Sequence, residues 1–198
     1  MQFNETFSAE REKTKFAGQS NSAKFAVNRQ HFLNTAIFSP SMKIVTKESQ
    51  FKVYAQESEL EPADAALLLE AAKAVENAYA PYSHFHVGAA LRLDDGSIVQ
   101  GSNQENAAYP SGLCAERVAL FRAGAVNNSV KIRAIAVTAR TPEMELNKPV
   151  SCCGACLQVM ADFERRSGNP MRVILRGETG EIYICDGIVN LMPLIFEF

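Results

Sequence analysis

Apolar side chains recur at helical spacing in three stretches of the chain. After Pro62, which suits a first helical turn, apolar residues repeat every three or four positions until Pro81 stops the pattern. A second helix is predicted from Leu113 to about Ala125 and a third from Cys153 to about Arg165. The residues that define the three patterns are Leu68, Ala71, Ala72, Val75 and Tyr79, then Ala115, Val118, Ala119 and Phe121, then Val159, Met160 and Phe163.

Strand-like stretches alternate with these helices. Val87–Leu93 and Ser97–Gly101 flank Asp95-Gly96, a pair that favours a tight hairpin turn with positive φ angles. The almost unbroken apolar run Ile132–Ala139 is typical of a strand covered on both faces, so we expect it at the centre of the sheet. The last elements are the strands Arg172–Leu175 and Glu181–Cys185 and a short helix at Ile188–Leu191. This order predicts an α/β fold, a three-layer α-β-α sandwich around a five-stranded mixed sheet.

The first 60 residues have a different character. Ser, Asn, Gln and Lys are frequent there and no helical or strand period is sustained, so we predict a partly disordered extension at residues 1–60 and a folded domain at 61–198. A transit peptide would fit the basic, Ser-containing composition, but Glu5, Glu10 and Glu12 argue against it because such peptides contain few acids. Met42 is an alternative natural start, since a compact pattern begins directly after it.

Composition and charge narrow the classes of partner. With 198 residues and 47% hydrophobic content, the chain can bury one sizeable core. Twenty basic and 22 acidic side chains give a net charge of -2, so there is no overall basic field for nucleic acid. No apolar run approaches the roughly 18 residues of a membrane span, and no secretory signal is recognisable. We expect a soluble, cytoplasmic protein that binds a small, nearly neutral molecule.

The five cysteines predict a metal site. Their number is odd and all lie after residue 113, which favours metal-bound thiolates in a reducing compartment over a disulfide framework. Cys114 opens a C-x-E motif, and Cys153 and Cys156 form a C-x-x-C motif that starts 39 residues later. Three thiolates can hold one zinc ion and leave its fourth position open for water, as in catalytic sites. The alternative is a closed structural site in which Cys152 or Cys185 is the fourth ligand.

Two charged residues follow the first cysteine of this site. Glu116 is placed to shuttle protons between water and a substrate; the alternative is an acid that complements the helix dipole. Arg117 could donate a hydrogen bond to thiolate sulfur and offset part of the negative charge of three thiolates. The pattern therefore predicts a hydrolytic zinc site in which Glu116 is the catalytic group.

Several ordered motifs resemble those of the short, homotetrameric, zinc-dependent cytidine deaminases. The resemblance extends from about residue 60 to the end of the chain, and a cysteine rather than a histidine as first ligand indicates the tetrameric branch. The matching segments are Pro81-Tyr82-Ser83-His84-Phe85-His86-Val87-Gly88-Ala89-Ala90-Leu91, Asn103-Gln104-Glu105-Asn106-Ala107-Ala108-Tyr109, Cys114-Ala115-Glu116-Arg117, Cys153-Gly154-Ala155-Cys156 and Leu191-Met192-Pro193-Leu194-Ile195-Phe196.

This resemblance implies hydrolysis of cytidine and 2'-deoxycytidine to uridine and 2'-deoxyuridine with release of ammonia, a reaction of pyrimidine salvage. It implies a homotetramer with shared active sites, no nucleic-acid or membrane partner, and one Zn²⁺ per subunit bound by the three cysteines. The implied contacts are Phe85 stacked on the base, Asn103 and Glu105 bound to the ribose 3'-hydroxyl, the Ala115 backbone and Glu116 at the pyrimidine edge, Arg117 beside the ligands, and Phe196 in the active site of a neighbouring subunit.

The chain departs from the family pattern at two positions near the metal. Cys152 replaces a usual proline and so removes a fixed backbone angle, and Leu157 replaces a frequent arginine and so removes a positive charge. Two other functions stay open: a relative that accepts another aminopyrimidine nucleoside, and a zinc-stapled binding protein that has lost catalysis. His84 and His86 flank Phe85, but we expect neither to bind the metal because three thiolates suffice.

Overall fold

The computed structural model describes residues 42–197. The sequence analysis predicted the extension at residues 1–60; its residues 1–41 lie outside this range, whereas residues 42–60 lie within it. All helices and strands below belong to the unit Val45–Phe198. None of the helices in the described part combines the length and the hydrophobicity that crossing a bilayer requires.

A six-stranded mixed sheet forms the middle layer of the molecule. Its strands are β1 (Lys52–Tyr54), β2 (His86–Leu93), β3 (Ile98–Ser102), β4 (Ile132–Arg140), β5 (Arg172–Leu175) and β6 (Ile182–Asp186). Their order across the sheet is β1-β6-β5-β4-β2-β3; β4 and β5 run parallel and all other neighbours run antiparallel. The interior position of β4, whose residues are buried on both faces, confirms the prediction for this segment.

The sheet has one strand more than the five predicted. The added strand, β1, lies within the segment that the sequence analysis placed in the extension, and Lys52 pairs with Ile184 of β6. Beside it, the rings of Phe51 and Tyr183 lie 6.0 Å apart. Because β1 has only three largely exposed residues and a partner far away in sequence, no local periodicity reveals it.

Helices cover both faces of the sheet. They are α1 (Pro62–Val75), α2 (Ala115–Val126) and α3 (Gly154–Ser167), with short 3-10 turns at Glu57–Glu59, Tyr109–Ser111 and Ile188–Asn190. The α1 face buries Ala134 and Ala136 of β4, whereas Ile135 and Val137 face the layer that contains α2 and α3. Alternate residues of one strand therefore enter opposite cores, which confirms the three-layer sandwich.

Two glycines allow helices to pack closely against the sheet, and helix α1 ends earlier than predicted. A Cβ at Gly101 of β3 would lie 2.5 Å from the carbonyl oxygen of Ala115, so glycine allows the first turn of α2 to approach the sheet. Gly88 allows the same close approach of α1 to β2. Helix α1 ends at Val75 rather than near Tyr79, because the N–H of Tyr79 donates to the carbonyl of Asn103 instead of continuing the helix.

Within the described residues, positive φ angles occur at four glycines and one histidine. In the turn between β2 and β3, Gly96 has a φ of 82°, whereas Asp95 does not share the positive angle that its pairing with glycine predicted. His84 has a φ of 54° and is the sole non-glycine residue with positive φ between residues 42 and 197. That histidine lies in the turn before β2, next to the cavity described below.

Candidate active site and metal centre

Two helix N-termini bring the three predicted ligands together. Cys114 directly precedes α2 and Cys153 directly precedes α3, each as the N-cap residue. Cys156 follows in the first turn of α3. The partial positive charge at a helix N-terminus stabilises a thiolate, so both ligand segments are held where negative sulfur is favoured.

The spacing of the three sulfur atoms fits a zinc ion. The Sγ atoms of Cys114 and Cys153 are 3.8 Å apart, those of Cys153 and Cys156 are 3.5 Å apart, and all three lie within 4.8 Å of one another. Zinc–sulfur bonds of about 2.3 Å at tetrahedral angles place sulfurs about 3.8 Å apart. The donor set and its geometry therefore suit Zn²⁺.

The site is built from three cysteines. Within residues 42–197, Cys152 and Cys185 do not join the cluster, and neither do His84 and His86. All five cysteines are free thiols, and both additional ones are buried in the apolar core. Three thiolates leave a tetrahedral ion one open position, which is the arrangement of a catalytic rather than a structural site.

Hydrogen bonds shift the pKa values of Cys114 and Cys156 in opposite directions. The thiol of Cys156 and the guanidinium of Arg117 lower the pKa of Cys114 from 9.0 to about 5, with the Cys156 hydrogen bond as the larger cause. The same hydrogen bond, together with burial, raises the pKa of Cys156. Nη2 of Arg117 lies 3.7 Å from Sγ of Cys114. The Cys114 thiol is therefore ionised more readily than the Cys156 thiol.

Glu116 lies in the first turn of α2, and the residue is 4% exposed. Burial is the main cause that raises the pKa of its carboxyl group, and the negative charge at Cys114 raises it further. The buried Cys152 thiol lies against this carboxylate, and burial raises the pKa of that thiol too. A carboxyl group with a raised pKa returns a proton more readily than an ordinary glutamate, which suits a group that must both accept and donate one.

A cavity of about 720 Å³ adjoins the three cysteines. Its wall includes three residues that the sequence resemblance assigns to the substrate, Phe85, Asn103 and Glu105. Four of the residues predicted for the metal site also line it, namely Cys114, Cys153, Glu116 and Arg117. The structure thus joins the predicted substrate residues to the predicted metal site in one space.

Two predicted contacts lie apart from this cavity wall. Ala115 is fully buried behind it. Phe196 lies against α3, where its backbone N–H and carbonyl form hydrogen bonds of 3.2 and 3.0 Å with the side chain of Gln158. Its ring is outside the cavity of its own chain, and the residue is 70% exposed.

A short bridged segment places Asn103 and Glu105 on the same side. Gln104 between them pairs with Tyr79 on one side and with Leu113 on the other. Because alternate residues of an extended segment point the same way, Asn103 and Glu105 both face the cavity. This bridge also connects the segment of Asn103 and Glu105 to Leu113, next to the first cysteine.

Three further residues at the cavity were not assigned to the site from the sequence. Tyr82 and Tyr109 lie at the wall with their rings 6.0 Å apart in an edge-on arrangement, and Ser83 lies at the wall between Tyr82 and Phe85 in the chain. All three belong to segments that match the family motifs, so the motifs themselves were the available signal. Their neighbours in space come from distant segments, which periodicity does not reveal.

The two departures from the family pattern are buried. Leu157 and Cys152 are each 7% exposed and belong to the apolar cluster between the sheet and helices α2 and α3. Leu157 therefore packs in the core, and Arg117 is the cation whose contact with a metal-site sulfur is observed.

Three thiols at two helix starts, a buried glutamate beside them and an adjoining cavity define the class of zinc-dependent hydrolases. Residues 62–167 match the family model of the cytidine and deoxycytidylate deaminase zinc-binding region. The curated cytidine deaminase of Sporosarcina psychrophila is 48% identical over 132 residues, which are 66% of this chain and 89% of the relative. That of Halalkalibacterium halodurans is 44% identical over 120 residues, 61% of this chain and 86% of the relative.

A solved structure gives the same result for the fold. The cytidine deaminase from Burkholderia pseudomallei superposes with a TM-score of 0.57 at 40% identity, covering 66% of this chain and 97% of the other. The chain belongs to the cytidine deaminase family of hydrolytic enzymes. The family resemblance inferred from the sequence motifs is thereby confirmed.

Proposed function

We propose that this protein hydrolyses cytidine and 2'-deoxycytidine to uridine and 2'-deoxyuridine, with release of ammonia, in pyrimidine salvage. The observation that carries the proposal is the shared cavity in which Glu116 and the cysteine cluster meet Phe85, Asn103 and Glu105. One zinc ion per subunit, held by Cys114, Cys153 and Cys156, would supply the Lewis acidity that makes water a nucleophile at neutral pH.

Glu116 moves the protons of this reaction. Its carboxylate accepts a proton as water adds to C4 of the cytosine ring and delivers that proton to N3. It then takes the remaining proton of the added water and gives it to the departing amine, so that ammonia leaves and the C4 carbonyl forms. The raised pKa of this buried carboxyl group supports both halves of the exchange.

The remaining cavity residues hold the substrate. Phe85 offers a ring for stacking on the base, and stacking on an aromatic side chain contributes about 1–3 kcal/mol per base. Asn103 and Glu105 offer an amide and a carboxylate to the hydroxyl groups of the sugar. Both residues lie in the segment that Gln104 pairs with Tyr79 on one side and with Leu113, just before α2, on the other. Contacts of this segment with the sugar would therefore fix how far the base lies from Glu116.

The charge of the cavity wall favours a nucleoside over a nucleotide. Apart from the phenols of Tyr82 and Tyr109, its ionisable side chains are the carboxyl groups of Glu105 and Glu116, the cysteines, and Arg117, whose guanidinium lies at Cys114. A 5'-phosphate would meet two carboxyl groups and a cation already engaged with sulfur. We therefore expect cytidine 5'-monophosphate to be a much poorer substrate than cytidine.

Absorbance change during deamination of cytidine tests this function directly. Wild-type protein with bound zinc should turn over cytidine, whereas Glu116→Gln should retain zinc and lose at least about 100-fold in kcat, because the proton shuttle is removed. If zinc-loaded wild-type protein releases no ammonia from cytidine, the enzyme proposal fails and the alternative of a zinc-stapled binding protein gains support.

We further propose a homotetramer in which Phe196 completes the active site of a neighbour. The exposed position of this residue outside its own cavity supports an intermolecular role. Mixing Glu116→Gln with Phe196→Ala subunits, after mild dissociation and reassembly, should create sites that hold both native residues and recover activity. Activity no greater than that of the Phe196→Ala protein alone would contradict the shared site.

A further inference from the structure

We propose that Ser83 is a positioning residue that fixes the base-stacking Phe85 by linking its backbone to the carboxylate of Glu105. This inference rests on the proposed function, because it assigns Ser83 to binding of the pyrimidine base of the substrate. Ser83 belongs to the turn between α1 and β2 and lies at the wall of the cavity.

The hydroxyl group of Ser83 bridges two elements of the cavity. It donates a hydrogen bond to Oε1 of Glu105 at 2.5 Å and accepts one from the backbone N–H of Phe85 at 3.1 Å. Glu105 lies 22 residues further along the chain, so this hydroxyl connects two segments that the sequence keeps apart. Alanine at position 83 would remove both hydrogen bonds at once.

Glu105 holds the turn through two further donors. Its Oε2 atom accepts hydrogen bonds from the backbone N–H groups of Tyr82 at 2.9 Å and of Ser83 at 3.3 Å. Hydrogen bonds to a charged acceptor are stronger than those between neutral groups. One carboxylate therefore gathers three donors from the same turn and anchors it to the segment that faces the sugar.

Asn103 holds the other side of the Phe85 backbone. Its Nδ2 group donates to the carbonyl of Phe85 at 2.9 Å, while its Oδ1 atom accepts from the N–H of Val87 at 2.8 Å. The N–H of Phe85 is thus bound by Ser83 and its carbonyl by Asn103. Both polar residues assigned to the sugar also take part in placing the aromatic ring that would meet the base.

The turn needs this support because its backbone is strained. His84, between Ser83 and Phe85, has a φ of 54°, a conformation that is uncommon for residues other than glycine. Such conformations persist where surrounding contacts enforce them, and they cluster at functional sites. When the Ser83 hydroxyl is lost, His84 can relax toward negative φ and carry the neighbouring Phe85 away from its position.

A simpler role for Ser83 would be to orient Glu105 for the sugar hydroxyl groups alone. The two roles differ for a substrate that lacks these hydroxyl groups. If Ser83 positions Phe85, its removal must weaken binding of 2',3'-dideoxycytidine as much as binding of cytidine. If Ser83 acts only through a sugar contact of Glu105, its removal must leave binding of the dideoxynucleoside unchanged.

Kinetics of three variants test the inference. Ser83→Ala should raise KM for cytidine about fivefold to tenfold with kcat changed less than about twofold, because the loss corresponds to about one hydrogen bond in binding. The Ki of 2',3'-dideoxycytidine as a competitive inhibitor should rise by the same factor. Ser83→Thr, which keeps the hydroxyl group, should restore both constants to within about twofold of wild type.

Ser97→Ala is the matched control, because it makes the same substitution at another serine that donates to a carboxylate. Ser97 also donates its hydroxyl to a carboxylate, that of Asp95 at 2.6 Å, but in the turn between β2 and β3 and outside the cavity. It should leave both constants unchanged. An unchanged KM in Ser83→Ala overturns the inference, as does a rise in KM for cytidine without a rise in Ki for the dideoxynucleoside. Absence of turnover in the wild type would instead reject the proposed function.

Discussion

The guanidinium Nη2 atom of Arg117 lies 3.7 Å from the sulfur of Cys114, and this contact helps to lower the pKa of that cysteine. Arg117→Ala should raise the pKa of Cys114, so that protons compete with the metal at higher pH. We expect the pH at which a chelator removes half of the zinc to shift upward by about one unit, which equals about 1.4 kcal/mol of charge stabilisation.

Arg122→Ala is the control for this prediction. Arg122 lies on the same helix, but its guanidinium donates to the carbonyl of Gln100 and is outside the cavity wall. Its removal should leave zinc retention unchanged at every pH. Equal zinc retention in Arg117→Ala and wild type across the acidic range would exclude the charge-compensating role.

The zinc-free protein should become more stable as pH rises from about 5 to about 9. Cys114 has a pKa of about 5 in the folded state, well below its ordinary value of 9.0. Its contribution to stability is therefore complete above pH 9 and is lost as pH falls through 5. The raised pKa of Cys156 adds no slope here, because this thiol is protonated in both states below pH 9. Urea denaturation of the zinc-free protein should show a flatter pH profile for Cys114→Ser.

Phe85→Ala should raise KM for cytidine about tenfold or more, because a stacking surface worth about 1–3 kcal/mol is lost from the cavity wall. Phe85→Tyr keeps the ring and should stay within about threefold of wild type. Phe51→Ala removes an aromatic side chain from the sheet edge near Tyr183 and should not change KM. Equal KM values for Phe85→Ala and wild type would show that this ring does not contact the base.

Asp64 should be a major contributor to the stability of the fold. This aspartate in α1 is 3% exposed, and its two oxygens lie 2.7 Å from Nε of Arg172 and 3.4 Å from Nη2 of Arg92. Asp64→Ala leaves two half-buried guanidinium groups without their shared partner, so we expect a loss of about 2–4 kcal/mol in the free energy of unfolding.

Asp186→Ala is the matched comparison for that stability measurement. Asp186 also pairs with Arg172, at 3.0 Å, but its side chain is about half exposed. Its loss should cost less than about 1 kcal/mol, because exposed ion pairs contribute little. Urea denaturation of both variants checks the ranking, and a smaller loss for Asp64→Ala than for Asp186→Ala would contradict it.

The three helices could be predicted from the sequence because each one carries its own start signal and apolar spacing. Pro62 begins α1 as predicted, and the two cysteine motifs fall at the starts of α2 and α3. The central strand could be predicted from the almost unbroken apolar run Ile132–Ala139, because a strand that is buried on both faces consists largely of apolar residues. The grouping of Cys114, Cys153 and Cys156 followed from ligand chemistry rather than from local structure.

Features that depend on distant contacts could not be predicted. Strand β1 exists because Lys52–Tyr54 meets β6, a pairing that leaves no mark on three largely exposed residues. The hydrogen bond between Ser83 and Glu105 likewise depends on how the turn before β2 folds over the bridged segment. The end of α1 was placed too late because Tyr79 continues the apolar spacing but pairs with Asn103.

The cysteine cluster also has a consequence for chain topology. Cys114 and Cys153 are 39 residues apart, and the whole of β4 lies between them. An ion bound by both therefore closes this stretch of chain into a ring, as a disulfide would, and withdraws conformational freedom from the unfolded state. For a disulfide, a ring of this length corresponds to about 3–4 kcal/mol. Zinc would thus act as a reversible cross-link, so that a chelator destabilises the core of the sheet as well as removing the catalytic metal.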